Sequence, residues 1–222
     1  MPPLKINVTG KSSVSHAPEL CTLKFSVKAQ GPEQNAVARD VTAAARDLQL
    51  WFQRFRLHDG DFAEPPVKKF WTSNIKAWSK PKDEDDKPVA DPHHATISFT
   101  AVFHEFEAMG KAVSGLLAIP KVEIKSIDWS LTDETGKKLS SETRKLALRD
   151  AIQQADDLSE VLGRNVGVVE IFDAGYSSPP MRRYMMAAAD FSDDSRSEPL
   201  ALDLTPQEID VETSLQVTFE AV

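Results

Sequence analysis

Cysteine is almost missing from this sequence: Cys21 stands alone among 222 residues. No disulfide can form within the chain, and a lone cysteine on the apolar side of an alternating segment serves as a small hydrophobe. Long apolar runs are missing as well. Nothing approaches the roughly 20 consecutive residues that a membrane helix requires, so no membrane span is expected. Positive charge is short, with 26 Lys and Arg against 34 Asp and Glu, for a formal net charge of −8. Such a field repels nucleic-acid phosphates and anionic lipids unless a local basic patch overrides it. Only Arg182-Arg183 suggests one, so no nucleic acid partner is expected. Met1-Pro2-Pro3 runs straight into an alternating pattern without the basic, apolar and small-residue segments of a secretory signal. The expected location is cytoplasmic.

What is present suits a globular protein, 41% hydrophobic and 27% charged, and long enough to bury a core without disulfides. Two periods alternate along it. Leu4, Ile6 and Val8, then Cys21, Leu23, Phe25, Val27 and Ala29, recur every second residue, as in strands with one buried face. From Pro32 to Phe55 the spacing becomes helical, through Val37, Val41, Ala44, Ala45, Leu48 and Phe52, with Asp59-Gly60 as a stop. Two strands follow, over 67–79 and 95–105, joined by a polar excursion at 80–93 that contains Pro81, Pro88, Pro92 and Asp83-Glu84-Asp85-Asp86.

A short helix over 106–118 leads to a strand whose apolar parity switches between Val122, Ile124 and Ile127, Trp129, Leu131. One extra residue near Lys125-Ser126 explains the switch, which predicts a β-bulge. A second long helix over 141–162 carries Leu148, Ala151, Ile152, Ala155 and Leu158 on one stripe, with Gly163 in the cap position. Its alanines should let it lie close to a sheet. Strands over 166–174 and 208–222 end the chain, separated by an aperiodic stretch at 176–205 that reads as a long mobile loop. The expected architecture is a single α+β domain over 1–222, a largely antiparallel sheet with two long helices and one short one, ordered β-β-α-β-β-α-β-α-β-β.

Four features carry candidate chemistry. Gly10-Lys11-Ser12 looks like the end of a phosphate loop, but that motif needs a glycine where Lys5 stands and a helix after it. With strands on both sides, the segment reads as a connector whose glycine avoids crowding a turn or a neighbour. Asp91, His93 and His94 offer metal-ligand types, yet adjacent residues in a strand point to opposite faces, so surface histidines and no metal are expected. The acidic run at 83–86 lacks the glycine and ligand spacing of a calcium loop. No serine stands in a nucleophile elbow, Cys21 should be inward, and His16, His58 and His104 have no neighbour that nominates them as bases. No catalytic residue and no cofactor is therefore named.

The remaining unusual feature is Met181-Arg182-Arg183-Tyr184-Met185-Met186. Flexible Met, Arg and Tyr side chains suit interfaces that repack on partners. A loop of this length is either functional or disordered, and the sequence leaves both open.

Together Val8-Thr9-Gly10, Val14, Ala17-Pro18-Glu19-Leu20 and the alternating strand after them resemble the N-terminal signature of the SIMPL domain family. Glu19 replaces a commoner Asp, and Cys21 a commoner Ala. Ala147 to Ala155, Leu162-Gly163 and Val166-Gly167-Val168-Val169 resemble the family's alanine-rich helix, glycine cap and following strand. The resemblance covers essentially the whole chain. It implies relatives among bacterial envelope proteins, some forming hollow homo-oligomers, and an animal protein associated with a Pelle-like kinase. It supplies no catalytic set. The expected function is a non-enzymatic intracellular protein that self-associates and acts through protein contacts. A ligand-binding protein or enzyme with a pocket between helices and sheet, and a kinase adaptor, are the alternatives.

Overall fold

A computed structural model describes residues 4–56, 64–82, 86–173 and 205–221. In chain order the elements are β1 (Leu4–His16), β2 (Leu20–Gly31), α1 (Gln34–Arg56), β3 (Val67–Thr72), β4 (Lys76–Ser79), β5 (His93–Phe103), α2 (Phe106–Leu117), β6 (Val122–Ser130), α3 (Asp133–Leu162), β7 (Val166–Asp173) and β8 (Ile209–Ala221). The α+β class holds, and the order matches with one addition: the segment over 67–79 splits into β3 and β4, both antiparallel to β5. The strands fall in two sheets, β1-β8-β7 and β3-β5-β2-β6 with β4 also on β5. Two compact units result. Among the described residues one comprises 4–19, 130–173 and 206–221, and the other 20–129 with Thr205.

In the first unit β8 is the central strand, antiparallel to β1 over its whole length and to β7. Val211, Leu215, Val217 and Phe219 alternate inward along β8 and are buried, as a period of two demands. Against them lies α3, whose buried stripe is Ala147, Ala151 and Ala155. Small side chains bring the helix backbone close to the sheet. The helix begins at Asp133, about two turns earlier than its apolar stripe suggested. Those turns contain one buried hydrophobe, Leu139, so periodicity could not reveal them. Local chemistry does: the Thr132 hydroxyl accepts the Thr135 N–H at 3.3 Å, and Asp133 and Glu134 occupy the positive end of the helix dipole. Gly163 ends the helix in the left-handed conformation, at φ 64°, which a residue without Cβ adopts at little cost.

The second unit has an aromatic core. Phe25 of β2 stacks on Phe52 of α1 at 5.3 Å and on Phe99 of β5 at 5.0 Å, while Phe52 also stacks on Phe70 of β3 at 4.6 Å. Helices α1 and α2 share this cluster through Val41, Leu48, Met109 and Leu116. Trp51 and Trp129 are half-buried against it. On β6, Ile124 and Ile127 both join the core, and Ser126, Ile127 and Asp128 are buried in succession. Strict alternation does not produce such a run.

Candidate interaction surfaces

The phosphate-loop segment is not a connector. β1 runs through it to His16, and Gly10 pairs with Leu215 in mid-strand. What crowds Gly10 is α3. A Cβ there would stand 2.0 Å from the Ala147 carbonyl oxygen and 2.7 Å from the Ala151 nitrogen. The helix also satisfies the outer edge of β1: the Lys11 N–H donates to Asp150 Oδ2 at 2.8 Å, and Gln154 Nε2 donates to the Thr9 carbonyl at 3.2 Å. Ser12 Oγ donates to the Thr143 carbonyl at 2.6 Å. These amides are consumed within the fold.

Glu19 completes the same attachment. One carboxylate oxygen accepts the Thr132 N–H at 2.8 Å and the Thr132 hydroxyl at 2.7 Å, and the other accepts the Thr135 hydroxyl at 2.8 Å. The Thr132 bonds, backbone first, hold its carboxyl below the usual glutamate value. A lowered folded value means that the stabilisation is present above the unfolded pKa and is lost as pH falls through the folded one. Glu19→Gln should therefore cost on the order of 1 kcal/mol at neutral pH, given how exposed the group is, and little at pH 3. Denaturant titrations of both proteins at the two pH values check this; an equal cost at both would remove the charge from the explanation.

The other candidates disperse. Cys21 is buried, its thiol pushed up to about 12 by burial and then by the Asp128 charge, which leaves no thiolate for chemistry near neutrality. His93 Nδ1 lies 2.7 Å from Ser79 Oγ, whereas His94 stacks on Trp78 at 5.4 Å. No cluster with metal-ligand character occurs among the described residues. Asp86 pairs with Lys82 at 2.7 Å; 83–85, His58 and the Met181, Arg182, Arg183, Tyr184, Met185, Met186 segment lie outside the described residues. A shallow depression lines one side of α1, at Ala38, Arg39, Thr42, Ala43 and Arg46.

Two surfaces stand out that no sequence motif marked. The first is β7, an edge strand of its sheet. Val169, Ile171 and Phe172 are 54%, 49% and 61% exposed: α3 lies over β1 and β8 and barely touches β7, and Phe172 pairs with exposed Gln216, on the face away from the helix. The opposite edge, β1, is bonded by α3 as described; β7 has no strand beyond it among the described residues. A bulge between Val168 and Glu170 interrupts its pairing with β8, a partial guard for an edge otherwise rich in exposed apolar side chains.

The second surface is the helix-free face of the β3-β5-β2-β6 sheet. Register places Trp71 beside Thr100 and Lys24, and Lys24 Nζ reaches Asp128 Oδ2 at 2.9 Å. Asp128 is buried, accepts from Ser126 Oγ at 3.1 Å, and leaves Oδ1 without a partner. Sequence reasoning missed this carboxylate because it stands between Ile127 and Trp129, where alternation implies a solvated position.

The fold and its surfaces thus define an α+β protein made of two helix-backed antiparallel sheets, each with an uncovered apolar or aromatic feature. The profile of the SIMPL family, proteins of unknown function (DUF541), matches residues 6–219, and the chain belongs to that family. No curated protein matches it.

Proposed function

We propose that this SIMPL-family protein is an intracellular, non-enzymatic protein that self-associates and acts through protein–protein contacts. The observation that carries the reading is β7: an eight-residue edge strand on which Val168, Val169, Ile171 and Phe172 are 47–61% exposed. Unpaired backbone groups beside exposed apolar side chains favour addition of another strand, where main-chain bonds supply affinity and alternate side chains supply fit. A second copy offers the same edge, and the two-fold pairing that results is closed. Among the described residues the ligand-binding alternative has less support, since Phe25, Phe52 and Phe99 fill the space between α1 and its sheet.

Light scattering at micromolar concentration should give a mass of two chains or more. Ile171→Lys with Val169→Lys places two charges on the exposed edge strand and should return the protein to one chain without lowering its melting temperature by more than a few degrees. A wild-type monomer would refute self-association, and an assembly indifferent to both lysines would move the interface away from β7.

A further inference from the structure

The helix-free face of the second unit's sheet gathers positive charge that the acidic composition conceals. Lys69 on β3 and Lys76 on β4 are exposed, and neither makes an ion pair among the described residues. By register they share a face with Lys24 and Lys28 of β2, through Val102, Thr96 and Thr100 of β5. Asp128 and Glu123 partner Lys24 and Lys28, and Lys125 adds a further cation on Glu123 at 2.7 Å. Cations therefore outnumber carboxylates across four strands, within a chain of net charge −8.

The same face holds two tryptophans. Trp71 and Trp78 are each 50% exposed. They oppose Thr100 and His94, six residues apart along β5, or about 20 Å at the rise of an antiparallel strand. Thr96 and Ser98 lie between them, paired with Lys28 and Ser26 of β2. Trp78 stacks on His94, but neither indole joins the core, which lies on the opposite side of the sheet with Phe70 and Phe99. Flat aromatic platforms with lysines around them and hydroxyls between them suit a polyanion that carries planar rings.

We propose that this face binds single-stranded nucleic acid, with bases stacked on Trp71 and Trp78 and phosphates held by Lys69 and Lys76. Stacking tolerates sequence because every base has a π-face, and the lysine contacts make affinity fall with salt. A pure polyanion without rings would satisfy the lysines and leave the tryptophans unused. This inference is independent of β7.

The test is fluorescence anisotropy of a labelled oligodeoxythymidine at low salt, with tryptophan quenching read in parallel. Wild type should bind, lose affinity as salt rises, and show quenching. Trp71→Ala with Trp78→Ala should weaken binding about tenfold or more, the effect of at least 1.4 kcal/mol of lost stacking. Lys69→Glu with Lys76→Glu should flatten the salt dependence. All four positions are exposed, and an unchanged melting curve verifies that the variants fold. No binding by the wild type, binding indifferent to the tryptophan substitutions, or equal displacement by heparin or polyglutamate would each overturn the assignment.

Discussion

Gly10→Ala should destabilise the first unit by about 3 kcal/mol or more, at the upper end of overpacking costs. The added carbon would fall 2.0 Å from the Ala147 carbonyl oxygen and 2.7 Å from the Ala151 nitrogen. Both are backbone atoms of a helix, so no rotamer change makes room. Relief requires lifting α3 from β1, which would break the Lys11–Asp150, Ser12–Thr143 and Gln154–Thr9 bonds together. Denaturant unfolding measures the loss. Two controls sharpen it. Gly136→Ala, inside α3 with nothing within 4 Å of the new carbon, should stabilise by about 0.5–1 kcal/mol through helix propensity. Adding Ala151→Gly to Gly10→Ala removes one neighbour, the Ala151 Cβ at 2.8 Å, but not the carbonyl, so it should not rescue. A mild Gly10→Ala phenotype would mean that helix and strand are not in such close contact.

The residues that announced the family meet at this contact. Gly10 and Glu19 belong to the N-terminal signature, and Ala147, Ala151 and Ala155 to the helical one. The two are one attachment, with Gly10 under the alanines and Glu19 on the threonines that start the helix. The signature thus specifies how α3 seats on β1. It encodes an architecture, which is why it identifies relatives and names no reaction.

Legibility in the sequence followed burial. Where one face meets a core and the other meets water, as in β2 and β8, alternation gave the strands directly. The second half of β1 escaped, because Ser12, Ser13 and Ser15 offer no apolar rhythm and the segment is held by pairing with β8 and bonds from α3. The start of α3 escaped for the reason given above, although Thr132 and the acids after it are legible as a cap. Neither surface could be read locally. The edge position of β7 is a property of sheet order, and the lysine face assembles residues as far apart in sequence as Lys24 and Lys125. Net charge, an average over the whole chain, does not report the sign of such a patch.

Phe52→Ala should cost the second unit about 3–5 kcal/mol, the range for emptying a packed aromatic site. Phe52 is fully buried. Its ring touches Phe25, Phe70 and Phe103 from three strands, at 5.3, 4.6 and 6.5 Å, and Trp51 on its own helix at 5.0 Å. Removing it breaks the ring stack that ties α1 to the sheet, and Phe25 and Phe99 in the adjoining strands limit how far the site can collapse. Trp51 lies beside the vacated site, so its fluorescence should report the loosened core during denaturant unfolding. The contrast with Phe172 tests the reading of the whole molecule. That ring is 61% exposed on the β7 edge, so Phe172→Ala should change unfolding by less than about 0.5 kcal/mol while weakening self-association. The same substitution in two places then separates a side chain that holds the fold from one held out to a partner. If Phe172→Ala destabilised the monomer as much as Phe52→Ala, β7 would be a core strand, and the self-association proposed for its edge would lose its basis.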